Sequence, residues 1–245
     1  MKNKYALLLP ALLLAACAKK APAPVTGAEA APAPAPAAAA APAPAPTPAP
    51  APAATAPAAA TASGGPLQTP QINTENMSDE QKEMAKRQAK LDYSNMEDGY
   101  INDANAQWAT SATATSEYGG SSYVPANATG KVDGKNFASK GSDVGFDSLE
   151  VTFEKPVNAT QLRVAISDGY GMEGITKLEL QDTDGKWNTV WSGINTVKVD
   201  KRGSRTWFVQ PIEKTSYKAK AARITKSNNV STERIYIDAV QLVGS

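Results

Sequence analysis

Histidine is absent from the 245-residue chain, and cysteine occurs once, at position 17. There is therefore no imidazole for a hydrolytic triad, no second thiol for a disulfide and no Cys/His set for zinc. A G-x-S-x-G nucleophile motif is missing as well. Charge is balanced, with 25 Lys plus Arg against 24 Asp plus Glu. No basic excess marks a nucleic-acid partner.

The chain opens MKNKYALLLPALLLAACAKK. Lys2 and Lys4 form a positive start, Tyr5 to Ala16 an apolar stretch, and small residues precede Cys17. The apolar stretch is about a dozen residues, short of the ~20 that cross a bilayer, and Pro10 interrupts it. It reads as a removable secretory signal over residues 1–16. Residues Leu14, Ala15, Ala16 and Cys17 resemble the lipobox of bacterial lipoproteins. That resemblance implies cleavage before Cys17, diacylglycerol on its thiol and a further acyl chain, such as palmitate, on the new amino terminus. One acyl chain binds a membrane marginally, whereas two or more hold it firmly. Ala18 stands where an inner-membrane retention signal places Asp, so the resemblance implies the outer membrane, with the protein facing the periplasm or the cell surface. An ordinary signal peptide with an incidental cysteine is the alternative. Loss of Lys2 and Lys4 takes the net charge from plus one to near minus one.

Residues 17–77 are read as the lipidated cysteine and a disordered tether. From about Ala21 to Ser63 the sequence is almost wholly Ala and Pro, which fix φ, remove amide donors and offer no bulky side chain to bury. At ~3.1 Å per residue a polyproline II chain of this length reaches on the order of 130 Å. A plain spacer or a segment that binds cell-wall polymer both fit. Residues 78–99 form a short helical segment, strongest over Ser78 to Leu91. Ser78 with Gln81 makes a capping box, and acids precede bases. Met84, Leu91 and a few alanines give a thin apolar face, so the helix docks on a neighbour or frays.

Residues 100–245 change to short period-two runs between turn residues, the pattern of an antiparallel sandwich. Strands are expected over 149–153, 161–166, 175–181, 189–192, 207–211, 221–226 and 236–243. Asp182, Thr183, Asp184 and Gly185 make a tight hairpin, and Lys155, Pro156, Val157 and Asn158 a second break. About 145 residues suffice for a sizeable core without disulfides.

QWATSATATSEYG (Gln107 to Gly119), ANATGKVDG (Ala126 to Gly134), LELQDTDGKWNTVW (Leu178 to Trp191) and IDAVQLVG (Ile237 to Gly244) occur in that order. Together they resemble the discoidin-like, coagulation factor 5/8 C-type branch of the galactose-binding-like domains. The resemblance implies an all-β antiparallel jelly-roll sandwich that binds sugars, lipid head groups or proteins through loops at one end. Some members of that family hold a structural calcium ion, for which the resemblance makes Asp133 and Asp238 the candidates, with oxygen ligands suited to Ca²⁺. No other cofactor is expected.

If successive strands are antiparallel, the loops before Leu149 and after Ile166, Ser192 and Lys226 share one end. They gather Asp168, Tyr170, Met172 and Glu173, then Lys201, Arg202 and Arg205, then Asn228, Asn229, Glu233 and Arg234. From these the expected ligand-binding set is Tyr170, Glu173, Arg202, Arg205, Asn228, Asn229 and Arg234, an aromatic face with polar groups for hydroxyl pairs. The same residues also suit ordinary solvated loops. Trp108, Trp187, Trp191 and Trp207 sit in or beside strands, which favours core packing. On a regular strand Trp187 and Trp191 share one face and would form a platform if exposed. Tyr118 and Tyr123 are open to either role. The expected function is non-catalytic binding of a cell-wall or extracellular glycan. The alternative is an assembly protein whose sandwich contacts another envelope protein. Catalysis is not expected, since Asp182 and Asp184 fall together in an exposed turn.

Overall fold

A computed structural model of the chain describes residues 64–141 and 144–245. The expected signal sequence, Cys17 and the Ala/Pro-rich segment through residue 63 lie outside the described residues. Helix α1 spans Asp79–Ile101. Strands follow as β1 (Ala106–Ala114), β2 (Phe137–Ala138), β3 (Phe146–Val157), β4 (Ala159–Ser167), β5 (Ile175–Asp182), β6 (Trp187–Ser192), β7 (Arg205–Pro211), β8 (Ala219–Ser227) and β9 (Tyr236–Gly244). Every strand pairing is antiparallel, in the order β6-β5-β8-β3-β1-β9-β4-β7, with β2 added on β9. The path folds into two layers at β1. Ala106 to Trp108 pair with β9, and the residues from Ala109 onward pair with β3 across a bulge between Ala109 and Ser111. A strand that changes sheets at a bulge closes the corner of a sandwich. The result is the expected all-β jelly-roll sandwich.

Alternation fills the space between the layers. Leu149 and Val151 on β3, Leu162, Val164 and Ile166 on β4, Leu178 and Leu180 on β5, Phe208 on β7, and Val240 and Leu242 on β9 are buried in one cluster. Each such side chain contributes roughly 1.5–3 kcal/mol relative to exposure. All seven strands expected from alternation are present, most of them longer by a residue or two. Strand β1 escaped that reading because its Ala, Thr and Ser carry no bulky alternation, and β2 has only two residues. Of the expected break at Lys155, Pro156, Val157 and Asn158, the first three residues continue β3 and Asn158 separates it from β4. There the register against β8 shifts between Thr152 and Val157, which spares Pro156 the amide it lacks.

The β9-β4-β7 layer is buried on its outer face as well. The alternate residues Ala165, Trp207, Val209 and Ala239 form a second cluster with Tyr93 of α1, joined by Met96, Tyr100, Trp108 and Val132. Helix α1 is capped by Ser78: Gln81 N donates to Ser78 Oγ (3.3 Å), and Ser78 N donates to Gln81 Oε1 (2.9 Å). Its docking face is Ala89, Tyr93, Met96 and Tyr100, spaced three and four apart. Met84 and Leu91, read from the sequence as its apolar face, point to solvent at 65% and 54% exposure. The helix therefore docks through residues beyond the stretch that looked most helical. Residues 64–69 cover the outer edge of β7, where Leu67 N donates to Val209 O (2.8 Å) and Gln210 Nε2 to Gly64 O (3.2 Å). A covered edge cannot pair with another chain.

Polar groups lock α1 to the sheet. Glu97 Oε1 accepts from Arg205 Nη1 and Trp207 Nε1, both at 3.2 Å. The Tyr93 hydroxyl shares its one proton between Glu97 Oε1 (3.1 Å) and Arg205 O (3.0 Å). Arg163 donates to Asp103 (2.8 Å) and Gln241 (2.9 Å) and stacks over Tyr100.

Burial, followed by the Glu97 carboxylate, raises the Tyr93 phenol above its ordinary value of 10.0. Below about pH 10 the phenol is protonated in folded and unfolded chains alike, so its contribution is complete there. Above that pH the unfolded chain loses the proton first, and stability falls by up to roughly 1.4 kcal/mol per pH unit. Urea unfolding between about pH 9 and about pH 11.5 should show this decline. Tyr93→Phe should reduce it, leaving the share of Tyr217, whose phenol burial also raises, while costing about 1 kcal/mol at neutral pH for the lost hydrogen bond.

Candidate functional site: a tyrosine-walled cleft at one end of the sandwich

The four loops expected to share one end do so. Asn228 N donates to Gly145 O (2.9 Å), tying the loop after β8 to the start of β3. Asn195 Nδ2 donates to Met172 O (2.7 Å), tying the loop after β6 to the loop after β4. Between β4 and β5 the chain runs Asp168-Gly169-Tyr170-Gly171, with φ of 54°, 70° and 70° at Asp168, Gly169 and Gly171. A Cβ at Gly169 would lie 2.8 Å from Thr206 Oγ1, and one at Gly171 would lie 2.6 Å from Arg234 O. Both positions thus require glycine for φ and for close approach. Asp168 is the one non-glycine residue with positive φ among the described residues, a conformation that is costly unless its surroundings impose it. Tyr170 is carried on this loop at 61% exposure.

Beside it lies an open cleft of about 370 Å³, lined by Tyr123, Asn136, Ser167, Asp168, Tyr170 and Tyr236. Ser167 Oγ donates to Asn136 Oδ1 (2.8 Å). The rings of Tyr123 and Tyr236 meet edge to face at 5.8 Å, and Tyr118 continues the row 5.5 Å beyond Tyr123. The Asp168 carboxylate has no hydrogen-bond partner among the described residues. Aromatic faces, phenol hydroxyls, an amide and a carboxylate thus converge on one space. This set can stack on C-H surfaces and pair with hydroxyl groups, but it holds no nucleophile with an adjacent base.

The structure brings only part of the expected set together here. Tyr170 lines the cleft, and Arg234 lies next to it over the Tyr118 ring. Glu173 is exposed at the neighbouring turn and accepts from Ser231 Oγ (2.6 Å). Asn229 is exposed on the turn after β8, while Asn228 is 2% exposed and donates to Asp147 Oδ2 (2.8 Å). Lys226 beneath it donates to Asn228 Oδ1 and Ser231 O. Burial pulls this amine below the ordinary lysine value against the nearby Asp147, Glu173 and Glu233 carboxylates. Arg202 and Arg205 face away from the cleft. Arg202 pairs with Asp200 (2.8 Å) and Arg205 with Glu97 and Asp238, both under α1. The β7 pleat turns Arg205 outward with Trp207 and Val209. Nothing in the sequence marks Asn136, Ser167 and Tyr236 for this cleft, because the first lies in a distant loop and the others sit at strand ends.

The tryptophans pack. Trp191 is buried against Phe208 (5.8 Å, 64°), and Trp207 sits under α1 with Trp108 at 6.4 Å. The shared face expected of Trp187 and Trp191 is broken by a register shift between Leu178 and Glu179, which places both Val190 and Trp191 in the core. Trp187 faces the other way, under the Arg223 guanidinium at 3.9 Å.

Asp133 and Asp238 do not fit a calcium ion. Asp238 is fully buried, and its carboxylate accepts from Arg205 Nε (2.5 Å), Asp133 N (3.0 Å) and Gly134 N (3.2 Å). These are donors, where a cation needs oxygen acceptors. The Asp133 carboxylate is held below its ordinary pKa by hydrogen bonds from the Lys135 backbone and side chain. No group of three or more acidic or sulfur side chains suited to a metal occurs among the described residues.

No family model and no curated protein matches the chain. Similar solved structures include a chitosan-binding module of a chitosanase/glucanase from Paenibacillus sp. IK-5 (16% identity, 55% of this chain, 94% of that one, TM-score 0.39). Another is a family 32 carbohydrate-binding module of a family 31 glycoside hydrolase from Clostridium perfringens (12%, 58%, 99%, 0.44). A third is an F5/8 type C domain from Bacteroides fragilis (16%, 58%, 98%, 0.43).

Chelator and added Ca²⁺ should both leave the melting temperature unchanged. Asp238→Asn should lower stability by about 3 kcal/mol, because it leaves Arg205 without its buried partner. A calcium-dependent rise in melting temperature would contradict this assignment.

Proposed function

We propose that the chain is an outer-membrane lipoprotein, anchored through Cys17, whose sandwich binds a cell-wall or extracellular glycan in the tyrosine-walled cleft without transforming it. The observation that carries this reading is Tyr170, exposed on a loop whose conformation is fixed by two glycines, beside a polar cleft. A pre-set aromatic face over ordered hydroxyl and amide groups matches a pyranose, which offers C-H bonds on one face and hydroxyls around its edge. The unpaired Asp168 carboxylate can accept from two vicinal hydroxyls. Glycoside hydrolysis takes two carboxyl groups flanking the bond, and among the described residues Asp168 is the one carboxylate lining the cleft. The anchor is supported by the lipobox-like residues 14–17, and the tether by the Ala/Pro composition that follows.

Assembly through protein contact has one observation in its favour. Phe146, 68% exposed on the outer face of β3, borders an apolar depression with Thr176, Lys177, Ser192 and Thr225.

Polysaccharide pull-down with the full chain separates the two readings. Tyr170→Ala and Asp168→Asn, the latter keeping a residue that tolerates the positive φ, should each weaken glycan binding by about tenfold or more with unchanged melting, the effect of one lost hot-spot contact. Undiminished binding by both variants would exclude the cleft. Capture of no glycan, together with cross-linking to one envelope protein that Phe146→Ser abolishes, would establish assembly instead. For the anchor, Cys17→Ser should lose palmitate labelling and move the protein from the membrane to the soluble fraction.

A further inference from the structure

Arg163, Arg202, Arg205 and Arg223 each meet a carboxylate. Arg234 meets none among the described residues. It is nevertheless held in place. Its stem lies against Gly141, where even a Cβ would come within 2.6 Å of Arg234 Cγ, and its carbonyl packs on Gly171. Its guanidinium carbon sits 3.9 Å above the Tyr118 ring. Arg234 Nε is buried and lacks a hydrogen-bond partner, and no hydrogen bond to the terminal nitrogens occurs among the described residues. A guanidinium that is immobilised, partly desolvated and unpaired forgoes several favourable contacts, and its surroundings keep it so. The Tyr118 ring steadies it from one face by cation-π attraction and leaves the N-H edge free.

This head group stands at the rim of the cleft. Tyr118 packs on Tyr123, which lines the cleft, and Tyr236, two residues after Arg234, lines it too. We propose that Arg234 reads an acidic substituent, so that the glycan of the preceding section carries a carboxylate or sulfate on the sugar beside the one at Tyr170. A planar guanidinium pairs two parallel N-H donors with two oxygens of such a group, which a flexible ammonium does not do. Asp168, which also lines the cleft, disfavours the acidic group at its own position. The two opposite charges therefore set the direction in which the chain of sugars lies.

The inference rests on the glycan reading, and one experiment separates their failures. Mobility of the full chain is measured in gels holding polygalacturonate, dextran sulfate or neutral galactan, for the wild type, Arg234→Met, Arg234→Lys and Tyr170→Ala. The wild type should bind polygalacturonate or dextran sulfate about tenfold or more tightly than galactan. Whichever polymer is preferred identifies the substituent as carboxylate or sulfate. Arg234→Met should lose that preference and keep galactan binding, with Arg234→Lys between the two. If Arg234→Met melts early, Tyr118→Leu, which removes the platform and keeps the charge, serves in its place with the same expectation. A wild type that prefers galactan, or an Arg234→Met protein that keeps the acidic preference, overturns the inference and leaves the glycan reading standing. Equal binding by Tyr170→Ala and the wild type overturns the glycan reading itself, and retardation by no polymer overturns both.

Discussion

Arg205 joins α1 to the sheet by standing between two carboxylates, Glu97 on the helix and Asp238 on β9. Asp238 occupies the point where β9 slips register against β4, between the pairs Ala165 with Ala239 and Ile166 with Ile237. That extra residue points a carboxylate onto the outer face, where it would be buried unpaired without Arg205. Backbone N-H groups of Asp133 and Gly134 complete its shell. Removing any one partner strands the others in a low-dielectric place, which is why such clusters act as a unit. The cluster also reaches the cleft. Gly134 O accepts from Asn136 Nδ2 (3.2 Å), and Asn136 Oδ1 accepts from Ser167. The lock that seats the helix thus also fixes the loop that brings Asn136 into the binding space.

Sealing the outer face explains the shape of the domain. A sandwich with one solvated outer face would need polar residues at alternate positions of β4, β7 and β9. Here those positions are Ala165, Trp207, Val209 and Ala239, and Tyr93, Met96 and Tyr100 of α1 cover them together with Trp108 and Val132. The opposite layer keeps the ordinary pattern, with Glu150, Lys177, Glu179 and Arg223 paired across its outer face. The helix is therefore structural, and it leaves the loop end of the sandwich open for ligand.

Legibility in the sequence follows from how local each signal is. Period-two alternation is local, so the strands with bulky side chains, β3 through β9, could be read directly. Strand β1 could not, since QWATSATA offers alternation only at Trp108. The convergence of four loops at one end was legible because it follows from antiparallel connectivity alone. Which way a side chain turns at a strand's end was not. Arg205 opens β7 next to the loop, and the sequence groups it with that loop, yet the pleat sends it under α1. The bulge at Val190 likewise separated Trp187 from Trp191, and a one-residue slip leaves no mark in composition. Tyr123, Asn136 and Tyr236 meet only because β2 brings an early loop against β9, a contact between residues some hundred positions apart in the chain.

The proposed reading joins an acyl anchor and an Ala/Pro spacer to a sandwich whose loop end carries aromatic, polar and oppositely charged groups around one cleft. Rigidity matters because loops already in place cost less to order on binding than mobile ones. Amide spectra of the isotope-labelled chain, titrated with an acidic oligosaccharide, test this most directly. Shifts should be confined to Asn136, the stretch from Ser167 to Gly171, and Arg234 to Tyr236, with Trp187 and Arg223 unmoved. Shifts centred on Trp187 and Arg223, or none at saturating sugar, would contradict it.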